Sequence, residues 1–387
     1  MKHDTEIEDP KKRYSNILKR YIGLFLISRN SLFFMLNRLL IPVFLMVVTA
    51  STVTAQQNPY DGFGTFISGM GARNVGLSEA NGAELHGDID SWSVNPANFS
   101  PSSWANATVH SSFFPGDIRS YALQGLVSRD SVWPVVVGLS RTSFGQNLRF
   151  DVEGNAGGEF NAFVTGLDIA TRRKLSESFS IGLGLNYDWR TIDFYDSHLL
   201  HFTIGGIYST NEKNSFGLTI SHLGYEIVPF ESDRHSLPLD VSAYWRRSLD
   251  HLPFTFFLRM QKLNLWNRME YQNPFLDGDQ NINQDPPRES RIRDLANELL
   301  RHMVIGGEFQ FGQPGNVWLR FSYDHWRNQQ LGIPAIRSLE GVAVGFGLKI
   351  KVFRLDYTWE RLYFDSGSHQ VSLSFRLFEK SRREKGF

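Results

Sequence analysis

Val342-Ala343-Val344-Gly345-Phe346-Gly347-Leu348-Lys349-Ile350 alternates strictly, with Val342, Val344, Phe346, Leu348 and Ile350 on one face and Ala343, Gly345, Gly347 and Lys349 on the other. Side chains that alternate with a period of two belong to a β-strand with two unlike faces. The same pattern continues downstream, where Leu355, Tyr357 and Trp359 oppose Asp356, Thr358 and Glu360, and Val371, Leu373, Phe375 and Leu377 oppose Ser372, Ser374 and Arg376. It recurs upstream, where Ile181, Leu183, Leu185, Tyr187 and Trp189 oppose Gly182, Gly184, Asn186 and Asp188.

Extending the pattern gives strands near 104–112, 120–129, 132–144, 159–174, 178–190, 198–209 and 214–226. Seven more follow near 238–248, 253–265, 302–312, 316–327, 339–350, 352–364 and 368–379. Many exceed the roughly nine residues that cross a bilayer at a tilt. Short joins at 129–131, 175–177, 210–213, 249–252, 312–315 and 351 alternate with longer ones at 145–158, 227–237, 266–301 and 328–338. A soluble sandwich has no reason for that asymmetry, whereas outer-membrane barrels have short periplasmic turns and long outer loops. The expected fold is all-β: a 14-stranded antiparallel transmembrane β-barrel over 104–379, in the cell outer membrane with lipid around it. Aromatics near strand ends (Trp189, Tyr195, Tyr244, Trp245, Tyr323, Trp326, Trp359 and Tyr363) are the expected headgroup belt.

Composition agrees. The 387 residues are 41% hydrophobic and 14% aromatic with 33 glycines, as expected when only alternate strand positions meet lipid. The absence of cysteine excludes disulfides, thiolate metal sites and thiol nucleophiles. Forty basic and forty acidic residues give no excess that would attract nucleic acid. At 35–55, Asn37 and Arg38 precede the apolar run 39–50 and the small-residue stretch ending at Ala55, which predicts a signal peptide with Gln56 as mature start. Met35 is then the expected initiator and 1–34 a mispredicted extension. Removal of 1–55 takes eight basic and four acidic residues, leaving 32 against 36, or −4.

Residues 59–100 do not alternate. They are rich in small residues and end in Asn95-Pro96-Ala97. Fourteen strands enclose a lumen too wide for their own side chains to fill. The segment 56–103 is therefore expected to fold inside the barrel as a plug, with Gly71, Arg73, Asn95, Pro96 and Ala97 as its motif. The charged end, 380–387, is expected to be a periplasmic tail, with the barrel-assembly signal ending at Phe378.

The stretch Gly71-Ala72-Arg73-Asn74-Val75-Gly76-Leu77-Ser78-Glu79-Ala80, the Asp-rich turn after it and Asn95-Pro96-Ala97 resemble the start of PorV/PorQ-type outer-membrane proteins. Similarity to the PorQ branch continues in the run 299–309 and in 339–346 and 369–377, across 60–378 in all; 267–290 does not fit the pattern. The resemblance implies a relative of the fourteen-stranded FadL-like barrels. It further implies a component of the type IX protein secretion and surface-attachment machinery, docking another secretion-system protein.

No enzyme pattern emerges: there is no Gly-x-Ser-x-Gly elbow, His-Glu-x-x-His or phosphate loop, and no cofactor is expected. His198 and His201 are three apart in a strand and so face opposite ways, and Ser221-His222 lacks any wider pattern. Asp277, Asp279, Asn281, Asn283 and Asp285 place oxygens at every second position, as a calcium loop does. However, Ile282 stands at the glycine position and Arg288 at the glutamate position, so the expected metal content is none. Residues 290–302 read as an amphipathic helix carrying Ile292, Leu295, Ala296 and Leu299 on one face. That face either docks a partner or caps the barrel mouth with its apolar side inward, and capping is the favoured reading. For function, a docking scaffold is favoured over the alternative, a FadL-like channel for small hydrophobic compounds, because loop 266–301 is polar apart from Trp266, Phe275 and the helix face.

Overall fold

In the computed structural model fourteen strands close on themselves, each hydrogen-bonded to its sequence neighbours and β1 to β14, all antiparallel. The structure describes residues 70–84, 86–128, 130, 132–151, 153–230, 234, 237–266, 288–312, 316–332, 339–362 and 366–376, the side chains of 288–294 excepted. The signal-peptide, calcium-loop and tail expectations all lie outside the described residues. The strands are β1 Ala107–Phe113, β2 Arg119–Ser128, β3 Val135–Phe150, β4 Ala156–Lys174, β5 Phe179–Ile192, β6 Tyr195–Asn211 and β7 Asn214–Val228. They continue as β8 Asp240–Ser248, β9 Phe254–Met260, β10 Met303–Phe311, β11 Val317–Asp324, β12 Val342–Ile350, β13 Phe353–Arg361 and β14 Gly367–Phe375.

The two faces of each strand separate as the alternation predicts, but the apolar face points out. Val344, Phe346, Leu348 and Ile350 of β12, Leu319 and Phe321 of β11, Ile181 and Leu183 of β5, and Tyr121 and Leu123 of β2 are exposed on the outer wall. The inward positions are polar and buried, among them Thr358 and Glu360 of β13 and Ser368, Gln370, Ser372 and Ser374 of β14. In water this inverted pattern would expose an apolar patch around the whole molecule, far beyond what soluble proteins tolerate. Around a closed barrel it is the lipid-facing band, and the chain is an outer-membrane β-barrel. Among the described residues no helix is long and apolar enough to cross a membrane; the strands do the crossing.

Connections longer than ten residues (229–239, 261–302 and 325–341) all lie at one end, the loop end, while the opposite turn end has only tight joins. Three boundaries correct the sequence reading, the first being the expected strand 253–265, which stops at Met260 ahead of a 3₁₀ turn at Leu263–Leu265. The expected loop 145–158 is mostly strand, because β3 and β4 continue to a tight turn where the Asp151 carboxylate accepts from the backbone N–H of Asn155 at 2.8 Å. The expected strand 316–327 stops at Asp324, whose side chain accepts from the Arg327 N–H (3.2 Å) and so caps a helix, His325–Leu331.

Met70–Ser100 lies in the lumen. Among the described residues its regular pieces are a one-turn helix, α1 (Ala72–Gly76), and a 3₁₀ turn (Ile89–Ser93). The wall approaches them closely where its inward residue is glycine. A Cβ on Gly182 of β5 would fall on the backbone of Pro96. Apolar contacts complete the seat: Ile89, Trp92 and Phe99 meet Val136 and Ala170 of the wall, and Leu77 and Ala80 meet Phe257 and Val304.

Candidate functional site

The centre of the lumen is a closed ring of ion pairs between the inner segment and the wall. Arg73 of α1 donates from Nε to Glu308 (3.1 Å) and from both terminal nitrogens to Glu84 at 2.7 Å. Glu308 accepts from Arg320 Nε at 2.6 Å, the two being direct cross-strand partners on β10 and β11. Arg320 Nη1 reaches Asp356 (2.7 Å), which also accepts from Arg354 Nε (2.6 Å) two residues away on the same face of β13. Arg354 Nη1 then donates to Asp88 of the inner segment at 2.7 Å, and Asp88 lies 3.9 Å from Arg73. Between Arg320 on β11 and Asp356 on β13, β12 presents Gly345 and Gly347 inward. A Cβ on Gly347 would collide with Asp356 Oδ1 and press on the Arg320 guanidinium.

Every member is largely removed from water, and Arg320 has no exposed surface. Burial alone would push the Arg73 guanidinium down, but Glu308 and Glu84 beside it hold it well above its ordinary range. For Asp88, burial works upward and is outweighed by Arg354 and Arg73, which hold the carboxyl low. Asp90 has no such partner. Its carboxylate oxygens are buried without a hydrogen bond, and burial, then the neighbouring Asp88 charge, push it up to about 6.

The expected motif residues occupy separate parts of the inner segment: Arg73 faces β10, whereas Asn95, Pro96 and Ala97 rest against β5 and β6. Gly71 (φ +108°) opens α1 with Asp90 Oδ2 only 2.7 Å from where a Cβ would stand. Asn95 donates to the Gly82 carbonyl (2.7 Å) and accepts from the Ala97 N–H (2.9 Å), which turns Pro96 onto Gly182 and buries Ala97. Sequence reasoning missed Glu308, Arg320, Arg354 and Asp356. Charged residues on the polar face of a barrel strand look ordinary until the register lines them up with Arg73 and Asp88.

The loop end corrects three expectations. Helix α2 (Arg288–His302) runs straight into β10, and its Leu295 and Leu299 are exposed, at 65% and 42%, rather than turned inward over the mouth. Ile292 falls in the same helix, its side chain outside the described residues. The inward cap is instead α3 (His325–Leu331), whose Trp326 is buried and whose Arg327 pairs with Glu360 of the inner wall. Trp326 and Tyr244 are therefore not belt aromatics. Tyr244 is buried, against Gly82 of the inner segment and with its hydroxyl 3.2 Å from Thr219. Leu300 is exposed beside Leu299, and Trp266, also exposed, stacks flat on His302 at 4.5 Å.

Together these features define an outer-membrane barrel whose lumen is occupied by its own N-terminal segment. No protein-family model matches the chain, and no curated protein does. Solved structures similar to it include the Pseudomonas putida toluene transporter TodX, at 12% identity and a TM-score of 0.47, with 79% of this chain and 96% of that one covered. A Pseudomonas aeruginosa FadL homologue is similar at 10% identity and 0.43, covering 81% and 99%. The Ralstonia pickettii toluene transporter TbuX gives 9% and 0.42, covering 79% and 97%.

Proposed function

We propose that the barrel is a plugged channel that takes small hydrophobic compounds from outside the cell at its loop end. The observation that carries this reading is the apolar surface left open there: Leu295, Leu299 and Leu300 of α2 with Trp266 beside them. Exposed apolar clusters on a polar rim mark binding sites. Support comes from the wall below α2. Val304, two residues beyond the end of α2, and Phe257 face inward and meet Leu77 and Ala80, a buried apolar cluster between wall and plug. Loops belong outside and turns in the periplasm, so the face meets the external medium.

A second reading keeps the same face for a protein: docking of a type IX secretion partner, as the plug motif's resemblance implies. One experiment separates them. The full chain is purified from outer membranes in mild detergent, and binding of toluene and of a long-chain fatty acid is measured by native mass spectrometry and calorimetry. The channel reading expects saturable binding, weakened about a hundredfold when Leu295, Leu299 and Leu300 are all changed to Glu, since each of the three lost apolar contacts removes on the order of 1 kcal/mol. No binding of either compound, with a secretion protein co-purifying in fixed ratio, would replace it with the docking reading.

A further inference from the structure

A second cluster lies in the lumen between the plug and the loop end, and the ring of ion pairs does not use it. On β6, His198 faces out, with Nδ1 2.8 Å from the Tyr187 hydroxyl, while His201 faces in, with Nε2 3.1 Å from Asp188 Oδ2. On β7 the pairing with β6 slips between Phe202 and Ile204, and His222 sits in the bulge with φ +62°. A left-handed backbone is costly for a non-glycine residue, and bulges re-aim side chains. Here the bulge reverses the alternation of β7, so that Glu226 points inward to Arg190 (2.6 Å) and the His222 ring meets the His201 ring at 5.5 Å between centroids.

The hydrogen bonds fix which nitrogen of each ring is bare. A carboxylate only accepts, so His201 carries its proton on Nε2 toward Asp188, leaving a lone pair on Nδ1. His222 is hydrogen-bonded to the backbone of Pro238, and proline has no N–H, so the imidazole donates to the carbonyl. His222 Nδ1 has no partner, which makes Nε2 the donor and leaves Nδ1 bare as well. Both Nδ1 atoms are buried and unpartnered. Imidazoles that ligate a metal have this arrangement: one nitrogen oriented by a carboxylate or backbone carbonyl, the other offered as a lone pair.

We infer that His201 and His222 form an open, two-imidazole site for a divalent transition ion such as Zn²⁺ or Cu²⁺, with Asp188 and the Pro238 carbonyl as positioning groups. Imidazole suits these ions better than Mg²⁺ or Ca²⁺. Among the described residues no group of three His, Asp or Glu is placed to hold a metal. The nearby carboxylates Asp240 and Glu79 are engaged by Arg259, at 3.5 and 2.7 Å. Among the described residues, then, two ligands come from the protein and the remaining coordination positions are open to water.

Detergent-refolded full-length protein is titrated with Zn²⁺ against a chelating dye and loaded with Cu²⁺ for electron paramagnetic resonance. The expected result is one ion per chain and a signal split by two nitrogens. His201→Gln and His222→Gln should each weaken binding at least tenfold and remove one nitrogen, and Asp188→Asn should weaken it about tenfold while both nitrogens stay. In the wild-type protein, X-ray absorption of the bound Zn²⁺ should show two imidazole nitrogens in its shell, a measurement that requires no variant to fold. Absence of Zn²⁺ binding, or equal binding by a folded His201→Gln/His222→Gln protein, would overturn the site.

Discussion

Arg320 shows what a single residue carries in this lumen. It has no exposed surface and bridges Glu308 to Asp356, so Arg320→Met leaves two buried carboxylates facing one cation fewer. Removing one partner of a buried network costs about 3–5 kcal/mol. The expected outcome is a clear fall in the urea midpoint, read from the heat-modifiable gel shift of the folded barrel. Gly347→Val attacks the same ring by displacing Asp356 and should lower the midpoint in the same assay. Asp90 behaves oppositely to its neighbours. Its folded pKa of about 6 lies above the ordinary carboxylate value, so the folded state holds the proton more tightly. Its stabilisation is complete below pH 4 and disappears as pH rises through about 6. Melting curves at pH 4.5 and 7.5 should show Asp90→Asn losing that part of the pH dependence; an unchanged difference between the two pH values would refute the assignment.

At the scale of elements, the sequence revealed the strands because lipid and lumen impose opposite polarity on alternate residues, and Val342–Ile350 shows it without interruption. It revealed neither α3, a helix of seven residues with no room for an apolar stripe, nor the reach of β3 and β4: Leu148 and Phe150 continue the alternation of β3, but the Ala156-Gly157-Gly158 start of β4 carries none and reads as loop. The motif Gly71, Arg73, Asn95-Pro96-Ala97 was legible as compact and non-alternating. Its partners on β10, β11 and β13 were not, because register depends on pairing between distant strands. The orientation of α2 was misjudged for a related reason: amphipathicity gives a helix two faces without saying which one meets the barrel. With Leu295 and Leu299 exposed, changing both to Ser should shift the unfolding midpoint little, by about 0.5 kcal/mol or less. A large loss would mean that the helix is packed rather than open.

For the molecule as a whole, occupancy of the lumen is the defining property. Deleting 70–100 should leave a barrel that conducts in planar bilayers where the intact chain does not, since the remaining inward glycines and serines cannot fill a fourteen-strand lumen. The intact chain showing the same conductance would refute the plug. The position of the seat also bears on biogenesis. Ala72, among the first described residues, donates its N–H to Ser372 Oγ of the last strand at 2.7 Å, and His110 of β1 meets the same hydroxyl at 2.8 Å. The β1–β14 seam therefore closes directly against the inner segment. Ala72 cannot make this bond until Ser372, 300 residues later in the chain, has reached its place in the wall. A nascent barrel held open at this seam would keep its first folded turn unfinished, so stopping the chain before β14 should lose the plug's protease protection along with the wall.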